Sequence, residues 1–84
     1  MDYAVTIRRR AQRELASLPR MSYERVRDVV RTLAQDPRPA SCLKLKGRAG
    51  WRIRVEDYRV IYEIDDDRKI VTVLHVDHRR DIHH

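Results

Sequence analysis

Between Trp51 and Ile64 apolar and polar residues alternate so regularly that little but a two-faced sheet can accommodate them. In Trp51-Arg52-Ile53-Arg54-Val55 every second residue is apolar and the residues between are arginines. Successive side chains of a strand point to opposite faces, so Trp51, Ile53 and Val55 share one face and Arg52 and Arg54 the other. Glu56-Asp57 reads as a tight turn. Tyr58–Ile64 then alternates again, with Arg59, Ile61 and Glu63 opposite Val60, Tyr62 and Ile64. Asp65-Asp66-Asp67-Arg68 reads as a second turn. Ile70–Val76 is β-rich on both faces, which predicts a central strand.

The first half of the chain supplies a cover for the apolar face. Tyr3-Ala4-Val5-Thr6-Ile7 predicts a short strand with Tyr3, Val5 and Ile7 on one side. Ala11, Leu15 and Leu18 recur at helical spacing, and Pro19 ends that helix because it disfavours helical geometry in the residue before it. A second helix is predicted with Ser22 as N-cap and Glu24 in its first turn. Val26, Val29, Val30 and Leu33 form its core stripe, while Arg25, Arg27, Asp28 and Arg31 point away. Asp36-Pro37 and Pro39 close it, and Pro19-Arg20-Met21 joins the two helices as a hairpin. The order β-α-α-β-β-β defines one α+β domain over residues 1–84, its helices on one face of a largely antiparallel sheet.

A chain of 84 residues can bury only a modest core. Cys42 is the single cysteine, so no disulfide reinforces that core, and a lone thiol fits a reducing compartment. The opening MDYAVTIRRR lacks the apolar run of a signal peptide, and no stretch approaches the ~20 apolar residues of a membrane helix. The expected location is the cytoplasm, with no membrane partner. With Gly at 2 positions there is no glycine-rich phosphate loop, and Ser17, Ser22 and Ser41 have no triad context. The histidines lack metal-site spacing with one another or with Cys42, so neither metal nor cofactor is expected. Cys42 reads as a buried or half-buried small hydrophobe and His75, inside the last strand, as structural.

Lys and Arg number 19 against 13 Asp and Glu, a formal charge of +6, and all the basic residues except Lys44, Lys46 and Lys69 are arginines. Guanidinium groups form planar bidentate pairs with phosphates and carboxylates. The balance therefore suits nucleic acid or an acidic protein partner, with a merely solvated basic surface as the plain alternative. Arg52 and Arg54 share a strand face, and a tight Glu56-Asp57 turn brings Arg59 alongside Arg54. Like charges this close repel by a few tenths to about 1 kcal/mol per pair. Either an anion is expected on that face, or each arginine is neutralised by an acid such as Glu63 or Asp57.

Leu43-Lys44-Leu45-Lys46-Gly47, then Trp51–Val55, then Asp57-Tyr58-Arg59-Val60-Ile61-Tyr62-Glu63-Ile64, and finally Val76-Asp77-His78-Arg79-Arg80-Asp81 resemble, in order and spacing, the signature of RelE-type toxins of the RelE/ParE superfamily. Leu15-x-x-Leu18-Pro19 and Leu33-x-x-Asp36-Pro37 fit as well, so the likeness spans nearly the whole chain. It implies a microbial-ribonuclease-like α+β fold. It also implies a toxin of a bacterial toxin–antitoxin pair that cuts messenger RNA on the ribosome without a metal, by attack of the 2′-hydroxyl on the adjacent phosphate. A cognate acidic antitoxin, RelB-like, is the implied protein partner.

By position, the resemblance makes Arg52 and Arg54 the paired basic residues of a catalytic strand, Arg59 the group that steadies the scissile phosphate, and Arg79 a cation near the leaving group. Lys44, Lys46, Arg48 and Arg80 are candidate RNA contacts, and His78 either touches RNA or faces solvent. Two departures bear on proton transfer. Some relatives carry lysine where this chain has Arg52 and Arg54, and arginine stays protonated. Many end in a tyrosine where this chain has Ile82-His83-His84. His83 lies nearest that place and can exchange a proton near neutral pH, the alternative being a frayed terminal residue. Two other functions stand beside the ribonuclease: a ParE-type toxin that blocks DNA gyrase without cutting, and a degenerate antitoxin-binding and operator-binding partner. The retained Arg52, Arg54, Arg59 and Arg79 favour the ribonuclease.

Overall fold

The alternating strands do form one two-faced sheet, and both helices lie on its apolar side. The computed structural model describes residues 2–78. In chain order these form β1 (Ala4–Ile7), α1 (Arg9–Ala16), α2 (Arg20–Thr32), β2 (Leu43–Lys44), β3 (Trp51–Val55), β4 (Tyr58–Asp65) and β5 (Ile70–His78). The five-stranded sheet runs β1-β5-β4-β3-β2. β1 pairs parallel with β5, and the other neighbours are antiparallel. β5 is therefore flanked on both sides, as its apolar content predicts.

The core gathers Ala11, Leu15, Val26, Val30 and Leu33 from the helical layer against Ile53, Val55, Val60, Tyr62, Val71, Val73 and Val76 from the sheet. Val29, expected in the stripe, is only partly buried. Cys42 packs half-buried against the same cluster. Tyr62 is fully buried, and its hydroxyl donates to the Pro37 carbonyl at 2.8 Å. That bond anchors the segment that follows α2 to the middle of the sheet, and burial pushes the Tyr62 hydroxyl well above the usual phenol range.

Three local features differ from the sequence reading. α2 begins at Arg20, two residues before the expected cap, with Pro19 at the N-cap position and no side-chain capping bond. Proline presets the backbone entry, and its carbonyl accepts from Tyr23 N–H at 2.8 Å. Ser22 instead donates to Glu56 at 3.3 Å, and Glu24, outside the first turn, pairs with Arg20 at 3.7 Å. The connection between the helices is correspondingly Ser17-Leu18-Pro19. β2 is an addition to the expected β-α-α-β-β-β order, because two residues are too few to show alternation. Lastly, β4 pairs with β5 through a register shift: Ile61 faces His75, Tyr62 faces Val73, and Leu74 is the extra residue. This bulge lets Val73 and Val76, three apart, both enter the core at 0% and 4% exposure.

β1 stops at Ile7, opposite Val73, so among the described residues the end of β5 has no strand on that side. α1 covers it: the Glu14 carboxylate accepts from Val76 N–H at 2.8 Å. At the opposite end, Asp66 accepts from the Tyr3 hydroxyl at 2.6 Å and from both Arg38 guanidinium nitrogens at 3.1 and 2.8 Å. Arg38 also lies over the Trp51 ring, 5.2 Å from its centroid. One carboxylate thus ties the start of β1, the segment after α2 and the β4–β5 turn.

Arg38, and then the Tyr3 hydroxyl, hold the Asp66 carboxyl at about 2, against an ordinary 3.8. A carboxyl depressed in the folded state stabilises the fold above its unfolded value and loses that contribution as pH falls toward the folded one. Asp66→Asn is expected to be slightly less stable than the parent at neutral pH, and to lose less stability on acidification from 3.8 to about 2. Parallel stability–pH curves from thermal melts of the two proteins would contradict this.

Candidate functional site

The face turned away from the helices collects the arginines in two short rows. A left-handed Glu56, φ 57°, closes the turn between β3 and β4. That turn sets Arg54 directly opposite Arg59, and Arg59 in turn lies opposite Asp77 on β5. One step along, Leu43, Arg52, Ile61 and His75 form the neighbouring row across β2, β3, β4 and β5. Ile61 is 9% exposed and buried apart from the helix-covered core, so this row has an apolar floor.

The choice between an expected anion and internal neutralisation is decided by where the acids point. Among the described residues, the ion pairs join Arg10 to Glu14, Arg20 to Glu24, Arg25 to Glu56, Arg27 to Asp28 and Arg38 to Asp66; none takes in Arg52, Arg54 or Arg59. Glu56, next to the arginine hairpin, is drawn to Arg25 and Ser22 on α2. Glu63 and Asp57 pair with none of the three arginines. The Arg59 Nε atom is buried with no hydrogen-bond partner. A desolvated donor left unpaired costs roughly 1–3 kcal/mol, more when it carries charge, so this atom is suited to an acceptor brought by a ligand.

Two adjoining hollows lie on this face. One, of about 660 Å³, is lined by Lys44, Lys46 and Arg48 of the β2–β3 segment, by Arg52, Arg59 and Ile61, and by His75 and Asp77. The other, of about 240 Å³, is lined by Ser41, Leu43, Arg52, Arg54 and Arg59. Arg52 and Arg59 border both. The basic segment is held as a wall by its own backbone. Gly50, at φ 120°, lies so close to the sheet that a Cβ there would sit 3.2 Å from the Tyr62 carbonyl oxygen. Lys44 turns its ammonium to the Arg48 and Gly50 carbonyls at 3.3 and 3.4 Å and lies over Trp51. Lys44 is therefore partly engaged in holding the segment, whereas no hydrogen bond or ion pair of the described residues engages the Lys46 or Arg48 side chain.

Of the expected site residues, the structure brings together Arg52, Arg54, Arg59, Lys44, Lys46 and Arg48. Arg79, Arg80 and His83 lie outside the described residues. His78 meets the Tyr58 ring edge-on at 5.0 Å. His75 and Asp77 were not expected on this face. Strict alternation from Val71 and Val73 puts both on the core side, and the bulge at Leu74 moves them across. The available signal was the spacing of Val73 and Val76, since a core row running on through His75 and Asp77 would bury a carboxylate. Among the described residues no group of His, Cys, Asp and Glu is placed to hold a metal ion, and no helix is long and apolar enough to cross a membrane.

A two-helix layer on one side of the sheet and an unpaired arginine cluster on the other make this a small cationic α+β domain, and comparison with known proteins places it among toxins. The profile described as "ParE toxin of type II toxin-antitoxin system, parDE" matches residues 5–83. Toxin RelG of Mycobacterium tuberculosis (strain ATCC 25618 / H37Rv) is 34% identical over 85 residues, covering 99% of this chain and 98% of that protein. The archaeal RelE–RelB complex from Pyrococcus horikoshii OT3 contains a chain of similar fold, with TM-score 0.84, 32% identity, and coverage of 94% of this chain and 97% of that one. The toxin–antitoxin complex RelBE2 from Mycobacterium tuberculosis gives TM-score 0.84 at 29% identity, covering 94% of this chain and 100% of that one. The chain belongs to the ParE toxin family, within the RelE/ParE superfamily. It is a RelE-family toxin of a type II toxin–antitoxin system.

Because Arg54 and Arg59 face each other without an acid between them, Arg54→Ala is expected to melt no lower than the parent. Inorganic phosphate should raise the melting temperature of the parent more than that of Arg54→Ala, since only a ligand of the folded state stabilises it. A clear fall in melting temperature, with phosphate acting equally on both, would assign Arg54 a structural role.

Proposed function

We propose that this toxin is a metal-independent endoribonuclease that cuts messenger RNA on the ribosome, with the open sheet face as its catalytic surface. The observation that carries the reading is the Arg52, Arg54 and Arg59 cluster, unneutralised by any described acid, with the Arg59 Nε buried and unpartnered. Attack of a 2′-hydroxyl on the neighbouring phosphate builds negative charge on the nonbridging oxygens. Cations already aimed at that charge stabilise it without reorganising water. In this reading Arg59 holds the scissile phosphate, Arg52 and Arg54 flank it, and Arg79 sits by the leaving group. Lys44, Lys46, Arg48 and Arg80 follow the RNA backbone, and His83 takes part in proton transfer.

The same face accounts for a protein partner. Relatives of this fold are seen as RelE–RelB complexes in Pyrococcus horikoshii and Escherichia coli. An acidic antitoxin that covers the arginine face would neutralise it and bar RNA. Coexpression of the cognate antitoxin is expected to restore growth, and the complex should weaken with added salt if exposed charges dominate. Undiminished toxicity in the presence of that antitoxin would count against the partner.

The ParE profile favours a second reading, a noncatalytic block of DNA gyrase. It calls for no unpaired guanidinium at a phosphate-sized hollow, which is why the ribonuclease is preferred. Arg59→Ala is expected to slow RNA cleavage in a reconstituted translation system by roughly 10²-fold or more, with a melting temperature no lower than the parent's. Inhibition of supercoiling by the parent, with messenger RNA left intact, would decide for gyrase.

A further inference from the structure

We infer that His75 is the proton acceptor in RNA cleavage, an inference that rests on the ribonuclease reading above. Chemistry by the 2′-hydroxyl route needs a group that can take up a proton near neutral pH. Arg52, Arg54 and Arg59 remain protonated, so they stabilise charge but accept nothing. Of the described residues lining the 660 Å³ hollow, only His75 and Asp77 are of a type not ordinarily protonated at pH 7; the lysines and arginines hold their protons. An ordinary carboxylate, titrating at ~3.9, is a weak base at pH 7, whereas an ordinary imidazole titrates at ~6.5, close to the operating pH.

The placement suits the task. Arg59 lies opposite Asp77, two residues beyond His75, so Arg59 and His75 are diagonal neighbours on one face. Such neighbours are about 7–8 Å apart in the backbone, within reach of long side chains. A phosphate held by Arg59 therefore brings its own ribose toward His75. His75 borders the hollow, and its Nδ1 is buried without a partner, so Nε2 is assigned as the nitrogen that meets the RNA. The charged groups sharing that space are Lys44, Lys46, Arg48, Arg52, Arg59 and Asp77. The backbone around His75 is also held: the bulge at Leu74 turns the ring to this face, and Glu14 fixes the Val76 N–H next to it.

In the step itself, the 2′-oxygen forms a bond to phosphorus as its proton passes to His75 Nε2. The bond from phosphorus to the 5′-oxygen breaks and its electron pair stays on that oxygen. The 5′-oxygen takes a proton from water or from a protein acid at the leaving-group side, and the imidazolium returns its own proton to the conjugate base so formed. The products are a 2′,3′-cyclic phosphate end and a 5′-hydroxyl end.

The test uses the toxin in a reconstituted translation system, with His75→Asn and His75→Gln compared with the parent across pH. Melting temperature is recorded for each, and affinity is measured with 2′-O-methyl RNA, which cannot be cut. Both His75 variants are expected to cleave ~10²–10⁴-fold more slowly, to bind the uncleavable RNA as the parent does, and to lose the acid limb of the parent's rate–pH profile. Cleavage by the parent together with full-rate cleavage by either His75 variant overturns the role of His75 and leaves the ribonuclease standing. Absence of cleavage by the parent overturns both. Should the His75 variants melt early, the parent alone decides, because a cleavage rate with no acid limb anywhere in the range where the toxin stays folded is incompatible with an imidazole base.

Discussion

Everything else in this protein depends on the burial of one sheet face beneath two short helices. Val26, Val30 and Leu33 of the helical layer share one cluster with Val60, Tyr62, Val71 and Val73 of the sheet. Each fully buried aliphatic side chain of this kind contributes roughly 1.5–3 kcal/mol. A chain of 84 residues without a disulfide has no second source of comparable size. The helices must therefore claim one face completely, and the opposite face is released from any duty of packing. That release is what allows guanidinium groups to stand side by side there.

Charge is sorted along the same division. The described ion pairs lie on the helices or at the edges and ends of the sheet, and Glu56 turns to Arg25 although it adjoins the arginine hairpin. Asp66 is spent on Arg38 and Tyr3 at the far end of β4. What remains on the open face is Arg54 opposite Arg59, Asp77 beside Arg59 without an ion pair to it, and an unpartnered Arg59 Nε. A fold that tolerates such a local conflict sacrifices some stability for a preorganised anion site, a pattern expected where function outweighs local consistency.

The walls of that site come from secondary features. Gly50 brings the basic segment against the sheet, and the Lys44 ammonium pins it through the Arg48 and Gly50 carbonyls. Glu14 supports β5 where β1 no longer runs beside it. The helical layer thus positions the site as well as burying the core, because the same α1 that contributes Ala11 and Leu15 also holds the backbone next to His75.

Residues 51–64 announced their own structure, since period-two alternation dictates which side chains share a face wherever the chain stays extended. Arg52, Arg54 and Arg59 were legible as neighbours for that reason, a two-residue turn leaving only one register for the hairpin. Amphipathic spacing likewise located both helices, though Ser22 misled as a cap because nothing local showed that Pro19 would serve as the entry residue. Other features needed the tertiary structure. The parallel pairing of β1 with β5 joins segments more than sixty residues apart, and two-residue β2 has no pattern of its own. The bulge at Leu74 is set by the fit of Val73 and Val76 into a core made by other elements, and it alone carries His75 and Asp77 to the open face. Whether the arginines would be neutralised was also a tertiary matter. Alternation assigns a side chain to a face, but only the packed helices determine which carboxylates are drawn elsewhere.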